Sequence, residues 1–119
     1  MPIERLTVER LKRRADFLLV AGTRRKYVTP AFVLQTRARD DAPQVRIGFT
    51  ATKKIGGSVQ RNRARRRLRE AARATLPTGA TPGSDYVLVA RAAALTHSYA
   101  SIVTDLRKAL AALAPKGTS

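Results

Sequence analysis

The sequence contains no cysteine and no tryptophan, and it has only three phenylalanines and three tyrosines. Without cysteine, neither disulfides nor thiolate metal sites are available. Histidine occurs once, at His97, and the eight acidic residues are scattered rather than clustered. No set of nucleophile, base and orienting group can be assembled from these residues. We therefore expect no catalytic residue in the polypeptide and no metal bound by it.

Long apolar runs are also missing. The N-terminal segment carries Glu4 and Glu9 and has no uninterrupted apolar core, which argues against a secretory signal and a mitochondrial presequence. The apolar stretch at 86–95 is short and contains Arg91, so it is not expected to span a membrane. These absences predict a cytoplasmic protein without membrane contact.

Positive charge is what the sequence has in excess. Twenty-four Lys and Arg stand against eight Asp and Glu, which gives a net charge of +16. Such a balance indicates a polyanionic partner, nucleic acid above all, rather than a small-molecule substrate. The 119 residues suffice for one hydrophobic core. We expect a single RNA-binding domain over 1–119, with flexible ends at 1–9 and 114–119.

The charge is concentrated in the middle of the chain. Residues 46–73 contain ten Lys or Arg and a single acid, Glu70. Their spacing predicts a helix over about 59–75 with two different faces. One face is a narrow apolar stripe of Ala64, Leu68, Ala71, Ala72 and Thr75. A second row, of Asn62, Arg66, Arg69 and Arg73, follows the same spacing. The helix can therefore dock on a sheet while it presents a basic surface.

The start of this helix favours an anionic ligand. Gly56 and Gly57 interrupt the preceding strand, and Ser58 is a candidate N-cap. Arg61 and Arg63 then lie near the positive end of the helix dipole, which is unfavourable by about 0.3–1 kcal/mol per charge. Phosphate groups would relieve this repulsion, because they accept hydrogen bonds from the free N–H groups and neutralise the side chains.

The remaining segments predict helices at about 13–21 and 98–113 and strands at about 27–29, 31–39, 45–52 and 85–91. Phe17, Leu18 and Ala21 are spaced to share one side of the first helix. The basic helix should stop before Pro77, and residues 77–84 should form a loop. The predicted order is α-β-β-β-α-β-α, an α+β two-layer sandwich with a small, mostly antiparallel sheet. The buried stripe of the last helix comprises Tyr99, Ile102, Val103, Leu106, Ala109, Leu110 and Leu113.

Several segments resemble a known family. The run from Arg61 through Ala71, RNRARRRLREA, is similar to the signature helix of the bacterial ribonuclease P protein subunit. The preceding run GFTATKKIG (48–56), the segment RLKRRADF (10–17) and the strand DYVLVAR (85–91) match further parts of that family in register. Together these matches cover most of residues 10–113.

The resemblance implies a fold, an activity and partners. The fold would include a left-handed β-α-β crossover through the basic helix, as in a ribosomal protein domain, against the usual right-handed rule. The protein would join a catalytic RNA and help to remove the 5′ leader of precursor tRNA. Magnesium ions bound by that RNA would carry out the endonucleolytic hydrolysis, and the polypeptide alone would be inactive.

The resemblance also assigns residues. Those expected to bind the RNA subunit are Lys53, Lys54, Arg61, Asn62, Arg63, Arg65, Arg66, Arg69 and Arg73. Those expected to bind the leader are Arg13, Phe17, Arg37, Arg46 and Thr50. Ala21 and Gln35 stand where family members often carry further aromatic residues, so base stacking should depend mainly on Phe17. The alternative role for Phe17 is simple packing in the core.

For the whole chain, the alternative function is a structural RNA-binding protein or RNA chaperone of ribosomal-protein type.

Overall fold

The computed structural model describes residues 7–39 and 42–115. Two short 3₁₀ turns, Lys53–Ile55 and Ala92–Leu95, connect elements of regular structure. The strands are β1 (Val8–Arg10), β2 (Lys26–Val28), β3 (Phe32–Ala38), β4 (Val45–Ala51) and β5 (Ser84–Ala90). The helices are α1 (Arg14–Gly22), α2 (Ser58–Gly79) and α3 (Tyr99–Ala112).

The strands form one sheet in the order β1-β4-β5-β3-β2. β5 lies in the centre, as its unbroken apolar run predicts, and its residues Tyr86, Val87 and Leu88 are buried. The α+β class is confirmed. The sheet is mixed rather than mostly antiparallel, because β4 pairs in parallel with both β1 and β5, while β3 pairs antiparallel with β5 and β2.

The strand β1 was not predicted from the sequence, which indicated a loose segment there. It pairs with β4 through backbone hydrogen bonds, including Val45 N–H to the Thr7 carbonyl (3.0 Å) and Leu11 N–H to the Ile47 carbonyl (2.9 Å). Glu9 and Arg10 are exposed. A short, polar edge strand has no hydrophobic alternation, so periodicity could not reveal it. Of the ends predicted to be flexible, residues 1–6 and 116–119 lie outside the described residues, while residues 114 and 115 follow the C-cap residue of α3. The single-domain assignment stays a prediction.

The parallel neighbours β4 and β5 are joined through α2, as a β-α-β crossover requires. The left hand of this crossover stays a prediction. On one face of the sheet, α2 and α3 cover the main core, which includes Phe32, Leu34, Leu68, Leu106 and Leu110. On the opposite face, α1 covers a smaller cluster.

The smaller cluster defines which side of α1 faces the sheet. Val20 is fully buried together with Leu11 and Val87, and Phe17 packs against them. Leu18 is 60% exposed and Ala21 is also exposed. The half-buried Phe17 and the fully buried Val20 are spaced by three residues, so this nine-residue helix presents only a narrow strip to the sheet.

The helix α2 is longer than predicted at its C-terminal end. It continues through Pro77 to Gly79, although Pro77 has no N–H to donate within the helix. One lost hydrogen bond near the end is tolerated because Leu76 is fully buried and Ala80 N–H donates to its carbonyl (3.1 Å). At the other end Gly57, not Ser58, is the N-cap residue.

The apolar stripes of the long helices are otherwise as predicted. Ala64, Leu68, Ala71, Ala72 and Thr75 of α2 are all buried. In α3, Ile102, Leu106, Ala109 and Leu110 are buried, and Val103 and Leu113 pack at the margin. Tyr99 is the exception, because it is 44% exposed and its hydroxyl donates to the Glu70 carbonyl (3.2 Å).

Candidate RNA-binding surfaces

The first basic surface is the outer side of α2 together with the 3₁₀ turn before it. We call it the α2 surface. Its exposed members are Lys53, Lys54, Asn62, Arg63, Arg66 and Arg73. Arg61, Arg65 and Arg69 are partly exposed. Of the nine residues that the resemblance assigned to the RNA subunit, seven therefore lie on α2 and two in the 3₁₀ turn before it, and all are off the buried stripe.

Few acids neutralise this surface. Arg73 pairs with Glu70 one turn away (3.1 Å), but both side chains are more than half exposed, so the pair contributes little. Arg65 donates to the Asn62 side-chain oxygen. The first turn of α2 contains no acidic residue and no side-chain cap. Its free N–H groups and the adjacent Lys53 and Lys54 together favour phosphate.

Arg67 differs from the other arginines of α2. Its guanidinium donates to the carbonyls of Ala94 and His97, both at 2.7 Å. These bonds attach α2 to the segment that precedes α3. Arg67 therefore has a structural role in the packing of α2.

The second basic surface is a cleft of about 1260 Å³ between α1 and the end of the sheet. We call it the α1 cleft. Its lining comes from β1, α1, β3 and β4 and contains six cations and two acids. The lining residues are Glu9, Arg10, Lys12, Arg13, Asp16, Leu19, Arg37, Ala38, Arg39 and Arg46.

A buried carboxylate organises the wall of this cleft. Asp85 is fully buried at the start of β5, and Arg37 on β3 and Arg46 on β4 are its direct partners in the strand register. Arg46 donates to both Asp85 oxygens, from Nε at 2.8 Å and from Nη2 at 2.7 Å. Arg39 Nε lies 3.1 Å and Arg37 Nη1 3.7 Å from the same carboxylate. Asp16 of α1 adds a contact to Arg46 at 3.5 Å.

Asp85 and Arg39 were missed in the sequence-based assignment. The sequence did offer a signal for Asp85, because it is an acid at the start of an otherwise apolar central strand. A buried carboxylate needs cationic or hydrogen-bonding partners, so its position predicts that such partners lie nearby. The identity of those partners depends on strand register, which the sequence does not reveal.

The structure separates the five predicted leader residues into three neighbouring positions. Arg13, Arg37 and Arg46 line the α1 cleft. Phe17 lies one row further along the sheet, over Gly48, where an added Cβ would approach its Cζ to 2.3 Å. Thr50, the next outward-facing residue of β4, pairs with Val89 and is partly exposed. The half-buried Phe17 ring thus combines packing with an accessible side.

Within the described residues, no helix is long and apolar enough to cross a membrane. The same residues contain no group of three or more His, Asp or Glu that could hold a metal ion.

A small α+β domain with an arginine-rich helix on one side of its sheet and a basic cleft on the other belongs to the RNA-binding proteins. The family model for Ribonuclease P matches residues 7–114, and the chain belongs to that family. Its role is that of the protein subunit of ribonuclease P, an endoribonuclease complex that processes the 5′ end of tRNA.

Individual proteins agree with this assignment. The chain is 50% identical over 109 residues to the ribonuclease P protein component of Caulobacter vibrioides, which covers 92% of this chain and 73% of that protein. The corresponding protein of Paramagnetospirillum magneticum is 47% identical over 107 residues, covering 87% and 80%. The solved RNase P protein of Staphylococcus aureus superposes with a TM-score of 0.72 at 25% identity, covering 87% of this chain and 93% of that one.

Proposed function

We propose that the chain binds the catalytic RNA of ribonuclease P through the α2 surface and holds the 5′ leader of precursor tRNA in the α1 cleft. The observation that carries this proposal is the separation of two basic surfaces by the sheet. A surface on α2 is convex and faces outward, which suits a folded RNA. The cleft is a hollow lined mainly by cations, which suits a single strand.

The electrostatics of the two surfaces support different tasks. The α2 surface has mostly exposed cations and a helix N-terminus without a side-chain cap, so its contacts would be to phosphates and would be sensitive to salt. In the cleft, Arg37 and Arg46 are held by Asp85 and keep 31% and 25% of their side chains exposed. Guanidinium groups in fixed positions would orient the sugar–phosphate backbone of the leader. The exposed side of the Phe17 ring would stack against one base.

The polypeptide would supply binding and position, and the RNA subunit the hydrolysis. Magnesium ions would act through the RNA subunit, which together with precursor tRNA is the partner proposed here. We expect the complex to work in the cytoplasm, where bacteria process their tRNA.

Two exposed arginines allow the two tasks to be tested separately. Arg13 lines the cleft and Arg63 lies on the α2 surface, and both are exposed. Arg13→Ala should weaken binding of precursor tRNA by the holoenzyme several-fold and leave mature tRNA binding and RNA-subunit assembly unchanged. Arg63→Ala should weaken assembly. Arg107→Ala, at an exposed position of α3, is the matched control. An equal effect of both variants on assembly would contradict the division of tasks.

A further inference from the structure

A second hollow lies beside the basic row of α2, at the edge of the sheet. It measures about 520 Å³ and is open to solvent between β1, β4 and the C-terminal half of α2. We call it the edge groove. Its apolar floor consists of Val8, Ile47, Phe49, Ala72 and Pro77. Its rim carries Glu9, Arg10, Arg69 and Arg73. A volume in this range accommodates a small organic group.

The groove exists because the main core is not closed at this edge. Phe49 lies on the core-facing side of β4 but remains partly exposed, and Val8 on the short strand β1 is also only partly buried. Small residues on α2, such as Ala72, leave room between helix and strand. An aromatic ring is therefore accessible beside a helix that is otherwise cationic.

Arg69 gives the groove its specific chemistry. Its guanidinium carbon lies 5.6 Å from the centre of the Phe49 ring, within the range of a cation–π contact. Its Nε is buried and has no hydrogen-bond acceptor among the residues that the structure describes. An aromatic ring, a planar guanidinium and an unused donor are the groups that bind an unstacked base and its polar edge.

The charge around the groove selects the occupant. Three arginines and one acid line the rim, and Arg69 and Arg73 continue the row that begins at Asn62 and Arg66. An RNA that follows this row would pass directly over the groove.

We infer that the edge groove binds one unstacked nucleotide of the RNA subunit, with its base against Phe49 and Arg69 and its phosphate near Arg73. The inference rests on the proposed assembly of the RNA subunit on α2. It adds to that assembly a contact that depends on stacking, whereas the other contacts of the α2 surface depend on charge.

Two conservative variants test the stacking contact. Phe49→Leu keeps an apolar floor but removes the aromatic face. Arg69→Lys keeps the charge but removes the planar guanidinium and its Nε donor. Each should weaken binding of the RNA subunit by about five- to a hundredfold. The slope of log affinity against log salt should stay that of the wild type, because the number of neutralised phosphates is unchanged.

The matched control is Arg107→Lys on α3, which should bind like the wild type. Melting temperatures of all variants separate a binding loss from a folding loss. If Phe49→Leu is unstable, Arg69→Lys alone decides, because Arg69 is partly exposed and lies outside the buried stripe of α2. Wild-type affinity in a folded Arg69→Lys variant would overturn the inference.

Cross-linking identifies the occupant. A photoreactive p-benzoylphenylalanine at position 49 in the holoenzyme should attach to one unpaired nucleotide of the RNA subunit. Attachment to the precursor tRNA leader, or absence of any RNA adduct, would overturn the inference. Wild-type protein that did not bind the RNA subunit would instead refute the proposed function itself.

Discussion

At Asp85 the chain removes a carboxylate from water and places guanidinium groups from both neighbouring strands around it. Burying an ion costs several kcal/mol, and the ion pair offsets this cost only when the geometry is good. Here the geometry is good, because Arg46 makes two hydrogen bonds of 2.8 and 2.7 Å. The cleft arginines consequently have fixed positions in the protein alone, which would lower the entropy lost if the leader binds there as proposed.

Asp85→Asn tests this arrangement. The amide nearly preserves the shape but leaves Arg37, Arg39 and Arg46 without their shared negative charge. We expect the unfolding free energy to fall by about 3 kcal/mol. This value is at the low end of the range for breaking a buried ion pair, because Arg37 and Arg46 are partly exposed. Urea unfolding measures it, with Asp105→Asn on α3 as the control. Unchanged stability would show that the carboxylate is not needed to neutralise the cluster.

Phe17 contributes to both packing and the proposed binding of the leader. Phe17→Leu keeps an apolar side chain over Gly48 and removes the ring, so the unfolding free energy should change by about 1 kcal/mol. We expect a five- to tenfold loss of affinity for precursor tRNA and no loss for mature tRNA, from about 1 kcal/mol of lost stacking. Ala21 and Gln35 supply no compensating aromatic ring.

The comparison requires wild-type and variant holoenzymes and both tRNA forms. Leu18→Ala, at a 60% exposed position of the same helix, is the control for changes in α1 itself. Equal losses for precursor and mature tRNA would assign Phe17 to packing alone.

Among the elements, α2 was predicted most completely from the sequence. Its buried stripe and its basic row follow from a period of 3.6 residues, and both are present. Its C-terminal end was predicted wrongly. The expectation that a helix stops before proline considers only the backbone and not the burial of Leu76.

The strand β1 was missed for a related reason. Its pairing with β4 uses backbone groups that every residue has, so side-chain patterns carry no sign of it.

The same limit applies to the candidate sites. The α2 surface lies on one helix, so local spacing was enough to predict which residues share it. The α1 cleft and the edge groove combine residues from strands that are distant in sequence. Which of them meet depends on the strand order β1-β4-β5-β3-β2, in which β5 separates β3 from β4. Composition and periodicity do not determine that order.

The two faces of α2 should respond differently to truncation. Leu68 is fully buried, and Leu68→Ala should lower the unfolding free energy by about 2–5 kcal/mol. Arg66 is exposed, and Arg66→Ala should change it by less than about 0.5 kcal/mol while it weakens RNA-subunit binding. Thermal unfolding and a binding titration measure the two effects. The orientation of α2 would be wrong if Arg66→Ala unfolded the protein and Leu68→Ala did not.

The whole molecule has a net charge of +16. Two groups of its cations, on the α2 surface and in the α1 cleft, lie on opposite sides of the sheet. An RNA that binds such a protein releases counterions, and part of the screening that it otherwise takes from metal ions comes from Lys and Arg. If the RNA subunit binds as proposed, the chain would therefore lower the concentration of metal ions that the RNA needs.

This charge predicts the response of the holoenzyme to magnesium. Cleavage of precursor tRNA by the RNA subunit should reach half its maximum at a lower magnesium concentration when the protein is present, because its cations replace some of the metal ions. The double variant Lys53→Gln/Lys54→Gln removes two exposed charges that precede α2 and should move the midpoint part of the way back. Arg107→Gln, a single exposed charge on α3, should move it less. Magnesium titrations with the RNA alone, the holoenzyme and both variants measure the shift. The highly purified protein without RNA should give no cleavage at any magnesium concentration. Metal-dependent cleavage by the protein alone would mean that the polypeptide has catalytic residues, and it would contradict the proposed roles of the protein and the RNA.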